Sequence, residues 1–315
     1  MKIYKHIDEF RKIHNAVVTI GTFDGVHIGH QKIISRLVDV AQQTGGETVI
    51  LTFFPHPRMI LHPEDLDIKL ISTIDEKAER LEKLGIDHLI ITPFTRDFSN
   101  LSPQQYIKDI LVDKIGTSKI IIGYDHRFGK DRMGGLEHLQ KFASEFHYQV
   151  EEIPEQDIND VSVSSTKIRN AILSGDVKTA AEFLGYNFHL TGKVIKGDQI
   201  GRSLGFPTAN LFIEESYKLI PSDGIYAVSI EFKSEDRDPI RHFGMAYIGH
   251  RPTINGMTRN IEVNIFDFDE DIYGHTIRVN FLYFLRADHK FNSLDELKNQ
   301  LIKDELKARK LLFPD

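Results

Sequence analysis

The sequence predicts an α/β doubly wound domain with a mostly parallel sheet, followed by a small antiparallel β-barrel and a C-terminal helix. Three observations carry this. From residue 16 to about 153, short β-branched runs alternate with helical patterns, which implies crossover connections between parallel strands. Beyond residue 187 the apolar runs are separated by Gly, Pro, Asn and Asp turns, the spacing of a small barrel. The chain's 315 residues suffice for two separate cores.

The elements follow in order. Residues 17–20, 49–53, 88–92, 120–123 and 148–153 read as strands, with helices expected over 29–43, 74–84, 103–115 and 135–146. In the first helix Ile33, Ile34, Leu37, Val38 and Ala41 share one apolar face. Two short helices near 164–173 and 176–184 finish this half, which places the boundary between domains 1–186 and 187–315. Strands are then expected at 190–196, 225–232, 242–248, 260–268 and 276–283, with the polar stretch Ser234 to Asp238 as a hairpin loop. The last helix should run from Ser293 to about Leu312, and Ser293 with Glu296 has the spacing of a capping box.

Composition narrows the function. Hydrophobic residues make up 41% and charged residues 27%, and the formal net charge is -7, so nothing draws the chain generally to nucleic acid or anionic membrane. Any phosphate site must be local. With no cysteine, disulfides, thiolate zinc sites and cysteine nucleophiles are excluded, and a reducing compartment fits. The start MKIYKHIDEF lacks a signal-peptide core, and no apolar run has the length of a membrane span. The expectation is a cytoplasmic protein with neither a nucleic-acid nor a membrane partner.

The segment GTFDGVHIGHQKII, Gly21 to Ile34, lies between the first strand and the first helix. Gly21, Gly25 and Gly29 allow close approach of a ligand, and helix-start N–H groups with His27 and His30 suit an anion. TFFPHP, Thr52 to Pro57, presents His56 at the second strand's end, and GYDHRFGK, Gly123 to Lys130, supplies Asp125, Arg127 and Lys130 after the fourth. SSTKIR, Ser164 to Arg169, opens a helix with three hydroxyls, Ser164, Ser165 and Thr166, and sets Arg169 near its start. In the second half, GKVIKGDQIGRSLGFPTANL interleaves Gly192, Gly197, Gly201 and Gly205 with Lys193, Lys196 and Arg202, a loop able to fold over phosphate. A glutamate, Glu262, sits in the later segment RNIEVNIFDFDEDIYG, Arg259 to Gly274.

The order GxFDGxHxGH, PHP, GxD loop and SSTxIR resembles the flavin adenylyltransferase branch of the nucleotidyltransferases with the HxGH signature. GFPTAN, GIYAV and the Glu262 strand resemble riboflavin kinase, and together the likeness covers residues 14 to 312. The resemblance implies a bifunctional enzyme that phosphorylates riboflavin to FMN and adenylylates FMN to FAD, with ATP as co-substrate and magnesium as cofactor. It implies ATP and phosphate contacts from Gly21, Phe23, Gly25, His27, His30, Ser164, Ser165, Thr166 and Arg169 in the first half, with His27 and His30 also catalytic. In the second it implies Gly192, Lys193, Gly197, Arg202 and Thr208 for ATP, Thr208 and Asn210 for magnesium, and Glu262 with Asn210 as catalytic. Flavin contacts are implied for His56, Asp125, Arg127, Phe128 and, in FLRADHKF, Arg286. The family pattern is departed from at His126, where an aromatic residue is usual, and at Tyr247, where relatives carry asparagine. Two rivals are an adenylyltransferase whose barrel only binds flavin and a flavin sensor without turnover; the presence of Thr208, Asn210 and Glu262 argues against the first.

Overall fold

The computed structural model describes residues 1–62, 64, 68–154, 163–197, 200–232, 241–253 and 256–314. Two compact units result, Met1–Ser165 and Thr166–Asp315. The expected hairpin loop at Ser234 to Asp238 lies outside the described residues.

The first unit is built on six parallel strands, β1 (Lys2–Tyr4), β2 (Ala16–Ile20), β3 (Glu47–Phe53), β4 (His88–Thr92), β5 (Thr117–Gly123) and β6 (Gln149–Ile153), in the order β1-β4-β3-β2-β5-β6. Its central strands read as unbroken apolar runs because both faces of the sheet are covered. Val18, Leu51, Ile90 and Ile120 belong to one buried cluster, whereas their chain neighbours Val17, Ile50, Leu89 and Ile121 belong to the other. Helix α1 (Ile28–Thr44) buries Ile34, Leu37, Val40 and Ala41 in the second cluster, and Ile33 and Val38 flank that stripe half-buried. Each fully buried aliphatic side chain there contributes roughly 2 kcal/mol. Gly45, at φ 62, ends the helix in the left-handed conformation.

A short helix α2 (Pro57–Leu61) follows β3, and α3 (Ile74–Lys83) starts at a full capping box between Thr73 and Glu76. The helix expected over 103–115 forms as one α-turn, Pro103–Gln105, that continues as a π-helix from Tyr106 to Ile115. Strand β1 escaped the sequence reading because three residues are too few to show a period; it pairs with β4, Lys2 opposite His88.

In the second unit the helices Ser165–Leu173, apart from Ser165 itself, and Val177–Leu184 precede a closed antiparallel barrel. Its strands are β7 (His189–Ile195), β8 (Ala209–Phe212), β9 (Gly224–Phe232), β10 (Arg241–Thr253), β11 (Gly256–Ile265) and β12 (Thr276–Arg286), closing in the order β10-β11-β8-β7-β12-β9. Strand β8, four residues just after Pro207, forms where the glycine-rich sequence pattern suggests loop. The strand expected to reach Phe268 stops at Ile265, and Asp267 turns the chain in the left-handed region at φ 54.

The helix Leu294–Leu312 lays Leu297, Leu301, Ala308 and Leu312 against Ile225, Ala227, Met245 and Leu285 of the barrel. Its capping box is only half made. Ser293 Oγ accepts from Glu296 N–H at 3.1 Å, but the Glu296 carboxylate accepts from Asn292 N–H instead of from Ser293.

Candidate active sites

The turn after β2 is held in an unusual shape. Phe23 and Val26 take φ 47 and φ 39, left-handed values that an L side chain resists, and Gly25 takes φ 78. Gly25 is required there: a Cβ would lie 2.9 Å from the Ile71 side chain. Compensation comes from the segment leading into α3. The Asp24 carboxylate accepts from Ile71 N–H at 2.9 Å and Ser72 N–H at 3.2 Å, and Gly25 N–H donates to Ser72 Oγ at 3.1 Å. Ser165 Oγ, at the end of the first unit, donates to the Asp24 carbonyl of the same turn at 3.2 Å.

His27 caps α1, its Nδ1 accepting from His30 N–H at 3.4 Å. The two imidazoles stack with centroids 3.6 Å apart, and the Phe23 ring meets His30 edge-on at 5.1 Å. Burial, then the neighbouring His27 and Lys77, pull the His30 imidazole well below its ordinary pKa. It is therefore neutral at pH 7, and its buried Nδ1 makes no hydrogen bond among the described residues.

His30 borders a cavity of about 790 Å³ at the carboxyl ends of the parallel strands. Gly21, Phe23, His56, Asp125, Arg127 and Phe128 line the same space. The structure thus brings seven of the expected residues together. Gly25 and His27 are not on its wall; they shape the turn behind it. His56 also caps α2, accepting from Arg58 N–H at 3.2 Å. Ser164 is exposed, and Thr166 and Arg169 lie on the helix Ser165–Leu173, in the second unit apart from Ser165 itself.

His126 lies on the cavity wall, stacked on Phe128 with centroids 5.8 Å apart. Burial, with Arg132 and Arg127 nearby, lowers its pKa to about 4, and its Nε2 has no partner among the described residues. The same holds for the buried Tyr106 hydroxyl, on a ring 5.0 Å from Phe128 that also lines the cavity. Tyr106 was not singled out from the sequence, where an aromatic in a helical pattern reads as core. Unpaired polar atoms on a cavity wall are available to a ligand.

In the barrel, register does the assembling. Glu262 on β11 stands opposite Asn210 on β8 and opposite Tyr247 on β10. Its carboxylate accepts from Thr208 Oγ at 2.8 Å and from Asn260 Nδ2 at 2.6 Å. Asn260 is a site residue the sequence reading did not name; its position two residues before Glu262, on the same strand face, was the available signal. A Cβ on Gly197 would collide with the Asn210 amide, so that glycine makes room for Asn210.

Thr208 belongs to two cavities. One, about 300 Å³ and mostly apolar, is walled by Ile225, Met245, Tyr247, Arg286 and Phe291 and carries Glu262. The other, about 290 Å³, has Arg202, Asp269, Glu270, Asp271 and Tyr273. Thr208 is thus shared between the space lined by Arg202 and the space lined by Glu262 and Arg286, whereas Lys193 is exposed on β7 and lines neither. Gly192 lies on β7 where a Cβ would strike the Phe212 carbonyl. Arg286 donates its Nε to Asp304 at 2.9 Å and lies over the Phe291 ring at 5.6 Å, so it forms cavity wall while anchoring the last helix. Tyr247 reaches Asp288 at 3.2 Å across the apolar cavity's edge.

Among the described residues no helix is long and apolar enough to cross a membrane. Family models for FAD synthetase and riboflavin kinase match residues 9–167 and 184–312. The Listeria monocytogenes protein described as bifunctional riboflavin kinase/FMN adenylyltransferase is 38% identical over 98% of this chain and 96% of its own length. Proteins so described from Bacillus subtilis and Escherichia coli are each 34% identical, over 93% and 95% of this chain and 91% and 96% of their own. A solved Streptococcus pneumoniae chain, described as a macrolide-efflux protein, covers 98% of both chains with a TM-score of 0.87 at 33% identity. On the two family models and these full-length likenesses, the chain belongs to the bifunctional riboflavin kinase/FMN adenylyltransferase family.

Proposed function

We propose that the cavity beside His30 transfers the adenylyl group of ATP to FMN, and that the Thr208–Glu262 site transfers the γ-phosphoryl group of ATP to riboflavin. What supports this reading most is that the HxGH turn and the Thr208–Glu262 pair each open on a cavity within their own compact unit. Residues 1–186 are assigned to the adenylyltransferase and 187–315 to the kinase, in keeping with the family-model limits at 167 and 184.

In the first reaction an FMN phosphate oxygen attacks the α-phosphorus and pyrophosphate leaves. That nucleophile is already ionised, so the site needs alignment and charge stabilisation, not a base. Gly21, Phe23 and His30 line the phosphate cradle, His30 as a neutral hydrogen-bonding ring, on the turn that Gly25 and His27 shape, and the family likeness assigns ATP contacts to Ser164, Ser165, Thr166 and Arg169 as well. The flavin is held by His56, Asp125, Arg127 and Phe128.

In the second reaction the nucleophile is a neutral ribityl hydroxyl, and Glu262 accepts its proton. The apolar cavity takes the isoalloxazine ring against Arg286 and Phe291, while Gly192, Lys193, Gly197 and Arg202 serve the ATP side. Among the described residues no cluster of three or more His, Cys, Asp or Glu has metal-ligand spacing. The hard oxygens of Thr208 and Asn210 would hold Mg²⁺, which supplies charge neutralisation on the ATP phosphates. A cytoplasmic location, with small-molecule substrates and neither nucleic acid nor membrane as partner, is part of this proposal.

Supplying each half-reaction separately tests it. Riboflavin with ATP should give FMN and ADP, and FMN with ATP should give FAD and pyrophosphate, both abolished by chelation of Mg²⁺. Either pair of products failing to form with the metal present would remove that half of the proposal.

A further inference from the structure

Lys77 carries an ammonium into the core of the first unit. It lies on the inner face of α3 beside Ala78 and Leu81 and is only 4% exposed. A buried charge is expensive unless it is hydrogen-bonded, and among the described residues this one donates to one acceptor, the Thr22 carbonyl, at 2.7 Å. Thr52 Oγ reaches the same oxygen from β3 at 3.3 Å. Burial lowers the Lys77 pKa to about 8, with the Asp24 carboxylate pulling the other way.

The Thr22–Phe23 peptide is trans and planar, so its C=O and N–H point in opposite directions. Holding the Thr22 oxygen toward Lys77 and Thr52 turns the Phe23 N–H to the far side. Thr22 and Phe23 line the 790 Å³ cavity, and Lys77 does not. The Phe23 N–H makes no hydrogen bond among the described residues, although Phe23 is buried. An orphaned N–H in a buried residue is rare and calls for an external acceptor. The left-handed φ of 47 at Phe23 lies between two fixed points, the Asp24 carboxylate contacts after it and the Thr22 carbonyl bonds before it.

We infer that Lys77 is a positioning residue for adenylyl transfer: it holds the Thr22 carbonyl inward and thereby aims the Phe23 N–H at the phosphates of the bound nucleotide. This rests on the adenylyltransferase reading of the first cavity. Lys77 touches no substrate and acts through one peptide plane.

The test compares Lys77→Met, which fills the same space without a donor, with Lys77→Gln, which keeps a donor but no charge. FAD formation from FMN and ATP is measured in the full-length protein, with FMN formation from riboflavin as internal control. Lys77→Met should lower kcat for FAD about 10- to 100-fold, the scale set by one misplaced transition-state donor, with the KM for ATP changed less than about threefold on the same ground. Lys77→Gln should recover most of that loss, and FMN formation should stay near the parent rate in both. FAD formation near the parent rate in Lys77→Met, or Lys77→Gln as impaired as Lys77→Met, would overturn the inference. Loss of the N-terminal thermal transition in both variants would also overturn it, leaving a purely structural lysine. A parent protein that makes FMN but no FAD would instead sink the adenylyltransferase reading.

Discussion

Replacing Glu262 by glutamine isolates its basicity from its place in the hydrogen-bond frame. In the structure the carboxylate accepts from Thr208 Oγ at 2.8 Å and from Asn260 Nδ2 at 2.6 Å. A glutamine can keep both contacts: its carbonyl oxygen accepts from Asn260, and its amide donates to Thr208, whose hydroxyl can reverse and accept. The structural cost is therefore small, under about 1 kcal/mol. The loss of a proton acceptor is larger, roughly 100- to 10,000-fold in rate, or about 2.7 to 5.4 kcal/mol at the transition state. FMN formation from riboflavin and ATP, followed by flavin chromatography, should fall by at least about 100-fold in Glu262→Gln. FAD formation from supplied FMN should be unaffected, since that chemistry needs no base and lies in the other unit. FMN formation within about tenfold of the parent would refute Glu262 as general base, and equal loss of both activities would refute the division of labour.

His30→Ala removes a ring that lines the first cavity and should cut FAD formation on the order of 100-fold while FMN accumulates; parent-rate FAD synthesis would exclude His30 from the phosphate cradle. Gly197→Ala drives a Cβ into the Asn210 amide and should lower FMN formation more than about tenfold, with FAD synthesis from FMN intact; an unchanged kinase rate would mean Asn210 is not needed where it sits. Burial depresses the pKa of His126 to about 4 and that of His30 in the same direction. The unfolded chain then binds protons that the native N-terminal domain refuses, so stability falls as pH drops from about 6.5 toward about 4. The thermal transition of that domain should be lower at about pH 5 than at about pH 7.5, and His126→Phe should flatten the dependence; the same slope in the variant would rule out His126 as its source.

Much of this was legible in sequence because the signals are local. The β2–turn–α1 unit is marked by an apolar run, glycines and a helical stripe, and His30 follows from it. Glu262, Thr208 and Asn210 were legible through motif likeness, but their meeting is a matter of register, β11 against β8, which no local pattern records. Asn260 was missed although it stands two residues before Glu262 on the same strand, because no motif marks it. Lys77 was missed because lysine reads as solvent-facing, although its place among Ile74, Ala78 and Leu81 set it on the apolar face of α3. The left-handed conformations at Phe23 and Val26 were illegible, being imposed by Asp24 contacts with Ile71 and Ser72, 47 and 48 residues away. Strand β8 and the half-made cap at Ser293 failed for lack of length and of partner geometry, respectively.

A chromatographic time course of flavins, from purified protein with riboflavin, ATP and Mg²⁺, reads both activities of the chain in one reaction. FMN should appear first and then give way to FAD, because the product of the barrel site is the substrate of the N-terminal one. FMN that accumulates without FAD, or riboflavin that stays unchanged, would contradict it.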